Sequence, residues 1–119
     1  VNISPEAQQQ FMRQNHQWYT VAILEGEAVG YLGLIGASRT ELTYCVHPSH
    51  QRKGIGKALL HRAVANVEGI WAKALLTNHA SVHALGKVFG QKVQHEGFFV
   101  FGQTKEDLKH AVKEIDGMA

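Results

Sequence analysis

The sequence predicts a mixed α/β (α+β) domain, one sheet with antiparallel and parallel parts and helices on both of its faces. Three observations predict it. Apolar runs of strand length follow one another through the first half of the chain, the apolar period changes to three-and-four spacing from Ile55, and strand and helix patterns then alternate to the end.

Each element has its own signal. Ser4 to Gln14 reads as a short helix, with Ser4 as cap, Pro5 tolerated in the first turn, and Ala7 and Phe11 four apart. Trp18 to Leu24 and Ala28 to Ile35 are apolar runs either side of the turn signal Glu25-Gly26-Glu27, which together read as a hairpin. In Thr40 to Val46, Glu41, Thr43 and Cys45 alternate with Leu42, Tyr44 and Val46, as a strand with two unlike faces requires. His47-Pro48 ends that strand, because Pro cannot donate to a ladder and pushes its predecessor toward extended geometry.

From Ile55 the apolar positions Leu59, Leu60, Ala63, Val64 and Val67 mark an amphipathic helix that stops near Glu68-Gly69. Ile70 to Leu76 reads as the next strand. Asn78 can cap a second helix with Val82, Leu85 and Phe89 inward, and Val93, Phe98, Phe99 and Phe101 suggest one or two closing strands. Thr104 with Asp107 resembles a capping box, opening a last helix with Leu108, Ala111, Val112 and Ile115 inward.

Length and composition bound the answer. A chain of 119 residues fits a single domain, 1–119, and 45% hydrophobic against 18% charged residues is a globular composition that excludes wholesale disorder. No apolar stretch approaches the ~20 residues a membrane-spanning helix needs, so no membrane partner is expected. The lone Cys45 cannot form an internal disulfide and no leader pattern opens the chain, so a reducing, cytoplasmic setting is expected. A net charge of +2 tolerates a polyanionic ligand but does not imply a nucleic-acid surface.

The chemistry concentrates in Gln51-Arg52-Lys53-Gly54-Ile55-Gly56-Lys57, between a strand end and a helix start. A helix start offers main-chain N–H groups without intrahelical partners and a partial positive charge, and glycines let a phosphate approach without a Cβ in the way. Arg52, Lys53 and Lys57 add positive charge, and the Gln51 amide can donate. A Walker loop fails here, because Ala58 follows Gly56-Lys57 and the glycine spacing is wrong. A dinucleotide fingerprint fails too, since Leu59 stands where its third Gly belongs.

With its context, the run LTYCVHPSHQRKGIGKALL resembles the signature of the GNAT superfamily of acyl-CoA-dependent N-acetyltransferases. Gln51, Gly54 and Gly56 fill the family pattern of Gln or Arg, two residues, Gly, one residue, Gly or Ala. The resemblance implies a mostly antiparallel sheet, here lacking the family's first strand and one early helix. It implies acetyl-CoA as co-substrate, with the backbone from Gln51 through Arg52, Lys53, Gly54 and Ile55 to Gly56 on its pyrophosphate and the strand edge at Tyr44, Cys45 and Val46 along its pantetheine arm. It also implies that Asn78 binds the cofactor arm, a role compatible with capping a helix. The spacing from Asn78 to Ser81 resembles the branch that acetylates protein N-termini, amino sugars and small amines.

Acetyl transfer to an amine needs a base and then a proton for the departing thiolate. Glu41 is the first candidate base, since it resembles the strand-borne Glu used in part of the family, and a partly desolvated cleft would raise its pKa; an exposed Glu at a strand start is the plain alternative. Where many members place a Tyr as general acid, this chain has Leu85, so Ser81 or a water is expected to substitute. The usual Gly-Phe after that helix is reversed as Phe89-Gly90, leaving the next strand's register open.

His79 and His83 have the spacing of helical metal ligands but no third ligand or intervening Glu, so no metal is expected. Cys45 is expected to pack in the sheet rather than act as nucleophile. The expectation is thus a ternary-complex N-acetyltransferase for an unidentified amine, with self-association into a homodimer left open. The rivals are a non-catalytic acyl-CoA-binding module of the same fold and, further off, an RNA-binding domain using Arg52, Lys53 and Lys57 with Trp18 and Tyr19 as stacking groups.

Overall fold

The computed structural model describes residues 18–117. The expected helix at Ser4 to Gln14 lies outside the described residues. The strands are β1 (Tyr19–Leu24), β2 (Glu27–Ile35), β3 (Glu41–Val46), β4 (Trp71–Leu75), β5 (Gln91–His95) and β6 (Phe98–Gly102). The helices are α1 (Ile55–Asn66), α2 (His79–Val88) and α3 (Lys105–Gly117). They form one six-stranded sheet in the order β1-β2-β3-β4-β6-β5, with every neighbouring pair antiparallel except β3 with β4.

The hairpin reading holds, with Glu25 and Gly26 both at positive φ in the turn between β1 and β2. The two closing runs are both strands and pair with one another. Phe89 ends α2 and is buried, while the Gly90 N–H donates to the Gln103 side chain at 2.8 Å; that contact lies between β5's start and the end of β6.

Each face of the sheet is covered by different helices. Leu32, Leu42, Ala72, Ala74 and Phe101 pack against Leu59, Leu60 and Ala63 of α1 and Leu85 and Phe89 of α2. On the other face Trp71 and Val100 pack against Ala111, Ile115 and Leu108 of α3. Side chains as fully enclosed as Leu60 and Trp71 each contribute about 2–3 kcal/mol by leaving water. The Thr104 box forms as the sequence implies, with Asp107 N–H donating to Thr104 Oγ1 at 3.1 Å and Thr104 N–H donating to Asp107 Oδ2 at 3.2 Å.

One expectation fails. Cys45 does not pack in the sheet but is exposed, because on that face α3 covers β4, β6 and the Glu41 end of β3 and does not cover the Cys45 end. Val21, Ile23 and Tyr31 share that exposure. No described helix is long and apolar enough to cross a membrane.

Candidate active site

The sheet is two antiparallel ladders joined at one rung. β3 is held by six registered pairs with β2, and β4 by five with β6. Between β3 and β4 the only registered pair is Glu41 with Trp71, where Trp71 N–H donates to the Thr40 carbonyl at 3.0 Å. Beyond that rung the strands diverge and leave a cleft of about 260 Å³, lined from both sides of the sheet by Glu41, Thr43, Tyr44, Lys73, Asn78 and Ser81 among others. A larger groove of about 580 Å³ between β5 and α3 contains none of the candidate site residues.

Main-chain direction alternates along β3. His47 N–H donates to the Val29 carbonyl at 2.7 Å, and the Cys45 carbonyl lies against Gly30, so odd positions turn toward β2. Tyr44 and Val46 therefore turn their peptide groups toward the cleft. Cys45 does not, which removes its backbone from the expected strand edge. Gln51 sits at the cleft mouth with its amide Nε2 donating to the Val46 carbonyl at 3.2 Å.

The loop then enters α1 through backbone that favours glycine. Gly54 is the N-cap at φ 83°, with no side-chain cap, and Arg52 before it also has positive φ, 66°. Ala58 N–H reaches the Gly54 carbonyl at 3.0 Å, so the N–H groups of Ile55, Gly56 and Lys57 precede the first intrahelical bond. A Cβ at Gly54 would meet nothing within 4 Å, so the backbone at this N-cap borders open space. Arg52, Lys53 and Lys57 are exposed, and none of them is in an ion pair among the described residues. Open donors, exposed cations and free space suit a diphosphate.

On the α1 and α2 side, Gly56 lies over the Tyr44 ring and Val46; a Cβ there would stand 3.8 Å from Tyr44 Cε2. The Tyr44 hydroxyl donates to Ser81 Oγ at 3.4 Å. Asn78 is the N-cap of α2 and its Oδ1 accepts from Ser81 N–H at 3.3 Å, so the expected capping role holds. Leu85, in the place where the family's acid was expected, is 1% exposed and belongs to the core.

The opposite side carries charge. Glu41 is the one buried charged residue among the described core positions, at 6% exposure, so the plain alternative of an exposed strand-start Glu does not hold. Burial pushes its carboxyl above the ordinary carboxylate range; the Lys73 ammonium opposes this and the Glu114 carboxylate adds to it. Lys73 Nζ lies 3.7 Å from Glu41 Oε2 and 5.2 Å from the centre of the Phe98 ring. Sequence reasoning missed Lys73. Its signal was a lone cation inside the apolar strand Trp-Ala-Lys-Ala-Leu, which calls for an internal partner.

The histidines of α2, His79 and His83, are exposed. The three-donor grouping among the described residues is instead His95, Glu96 and Asp116, whose ligand atoms lie within 4.8 Å of one another.

The acetyltransferase (GNAT) domain family matches residues 14–93. The chain belongs to the GNAT acetyltransferases. Solved GNAT structures share its fold at low identity. A ribosomal-protein-alanine N-acetyltransferase from Brucella melitensis superposes with a TM-score of 0.65 at 19% identity, over 85% of this chain and 77% of that one. The GNAT domain of a Streptomyces lividans protein named PAT gives 0.64 at 18%, over 84% and 68%. A Salmonella typhimurium acetyltransferase, yncA, determined with its cofactor acetyl-CoA, gives 0.61 at 17%, over 88% and 77%. No curated protein sequence matches the chain. For a GNAT acetyltransferase the cleft between β3 and β4, with the glycine-rich start of α1 at its mouth, is the candidate active site.

Proposed function

We propose that this GNAT domain transfers an acetyl group from acetyl-CoA to a primary amine by direct attack in a ternary complex. The observation that carries the reading is the cleft opening from a single rung directly beside an uncapped, glycine-bearing helix start.

The N–H groups from Arg52 to Gly56 hold the diphosphate, the Gln51 N–H donating instead to the Pro48 carbonyl at 3.4 Å, and Arg52, Lys53 and Lys57 supply diffuse positive charge. The pantetheine arm lies along the peptide groups that Tyr44 and Val46 turn into the cleft, with Asn78 on its other side. The acyl carbonyl is polarised at the Val46 peptide. Glu41, its pKa raised by burial, takes a proton from the incoming ammonium so that the neutral amine attacks. The Lys73 ammonium beside it favours the charged carboxylate that a base requires. The amine nitrogen bonds to the acyl carbon, the carbon–sulfur bond breaks with its electron pair on sulfur, the acylated nitrogen releases its surplus proton to solvent to become the amide, and the thiolate takes a proton. The exposed, unpaired Cys45 fits a reducing compartment such as the cytoplasm.

Calorimetry with acetyl-CoA, then a turnover screen of amino acids, polyamines, amino sugars and peptide N-termini, tests the reading. Binding with turnover on one amine class supports it. Binding without turnover on any class supports the rival non-catalytic acyl-CoA module, which the buried Leu85 favours. No binding removes both.

A further inference from the structure

The cleft cuts through the sheet, so the residues lining it belong to two chemically different sides. Glu41 and Lys73 share the α3 side, where Glu114 also acts on Glu41. Tyr44 lies on the α1 and α2 side, beneath Gly56 at the start of α1 and within hydrogen-bond reach of Ser81 at the start of α2. Its half-buried ring stands between the starts of two helices. Among the described residues, the side-chain O–H groups reaching this side of the cleft are those of Tyr44 and Ser81. Leu85, one turn beyond Ser81, offers none.

We propose that Tyr44 is the general acid of the reaction, its hydroxyl protonating the coenzyme A thiolate as it leaves, with Ser81 positioning that hydroxyl. The inference rests on the acetyl-CoA reading above. A base on one side and an acid on the other fit a transfer in which the amine arrives from the α3 side and the sulfur departs toward α1 and α2. As the carbon–sulfur bond breaks, the electron pair stays on sulfur and the Tyr44 proton forms the S–H bond. The phenolate regains a proton from solvent through the Ser81 hydroxyl, so the net products are the amide and free coenzyme A. Ser81 can both accept from Tyr44 and donate to it, and its own N–H is held by Asn78 Oδ1. Asn78 thereby fixes the relay, and the binding contribution of Tyr44 stays with its main chain.

The test uses Tyr44→Phe, which keeps the ring under Gly56, and two readouts. The first needs no acceptor: free coenzyme A is bound to wild type and variant, and its thiolate is titrated by ultraviolet absorbance. A hydroxyl donating to the thiolate favours the charged form, so the bound thiol ionises at lower pH in wild type than in Tyr44→Phe. The second is turnover with the amine found in the screen. Here kcat falls by about 10²–10⁴-fold, the usual scale of general acid catalysis, while the affinity for acetyl-CoA stays within about threefold. Ser81→Ala shows the same pattern with a smaller loss. Identical thiol titrations in wild type and Tyr44→Phe, or an unchanged kcat, overturn the assignment of Tyr44. Failure of wild type to bind coenzyme A at all overturns the acetyl-CoA reading instead.

Discussion

Replacing Lys73 by Met tests the charge pair at the cleft vertex. At 3.7 Å the attraction between Lys73 and Glu41 is about 1 kcal/mol at the dielectric of water and about 4.5 kcal/mol at an effective value of 20. Lys73 is 26% exposed and Glu41 only 8% at the side chain, so the pair falls between these limits, and a loss of about 2 kcal/mol is expected near neutral pH. The sign of its pH dependence follows from Glu41. Its folded pKa lies above the unfolded value, so the wild type loses stability as pH rises between the two. The Lys73 attraction exists only while Glu41 is charged, so it offsets part of that loss above the raised pKa and disappears below it. Lys73→Met is therefore closest to wild type in stability at acidic pH, where Glu41 is protonated, and weakest above the raised pKa, and the acid limb of its kcat profile moves to higher pH. Urea unfolding of both proteins across that range reads the first effect, and pH–rate profiles read the second. A deficit of the same size at every pH would show that the two groups are not coupled and that burial and Glu114, without Lys73, set the Glu41 carboxyl.

Glu41→Gln keeps acetyl-CoA affinity in calorimetry and lowers kcat by about 10²–10⁴-fold. It also flattens the fall in stability between mildly acidic and neutral pH, measured by the same urea series. Gly54→Ala places a Cβ at φ 83°, which costs about 1–2 kcal/mol in thermal or urea unfolding. On the proposed diphosphate seat the added Cβ and the strained turn weaken acetyl-CoA binding by about tenfold in calorimetry. Thr104→Ala removes one half of the box that opens α3 and costs about 1 kcal/mol, with acetyl-CoA affinity unchanged.

Local patterns were legible wherever the cause of the structure is local. The alternation in Glu41 to Val46, the three-and-four spacing from Ile55 and the Thr104–Asp107 box each rest on neighbours a few residues away, and each formed as expected. The loop from Gln51 to Gly56 was legible because positive φ at Gly54 and the helix start after it are themselves local. What escaped depends on chain segments far apart. The alternation put Glu41 and Cys45 on one face but could not say that α3 covers only part of it, so one residue is buried and the other exposed. The pairing of Glu41 with Lys73 needs the crossover through α1 and the single rung at Trp71. The meeting of Tyr44 with Ser81 needs α2 to dock on the same side as the start of α1. None of these has a signature inside one element.

Glu41 is itself one of the two residues in the rung from which the arms spread, and Trp71, the other, is sealed in the core. A pair of compasses moves least at its pivot. Under the proposed reaction, the room for the acyl donor is set farther along the diverging strands while the proposed proton acceptor sits at their vertex, so tolerance toward the acyl chain and precision at the nitrogen would be set by different parts of the same gap.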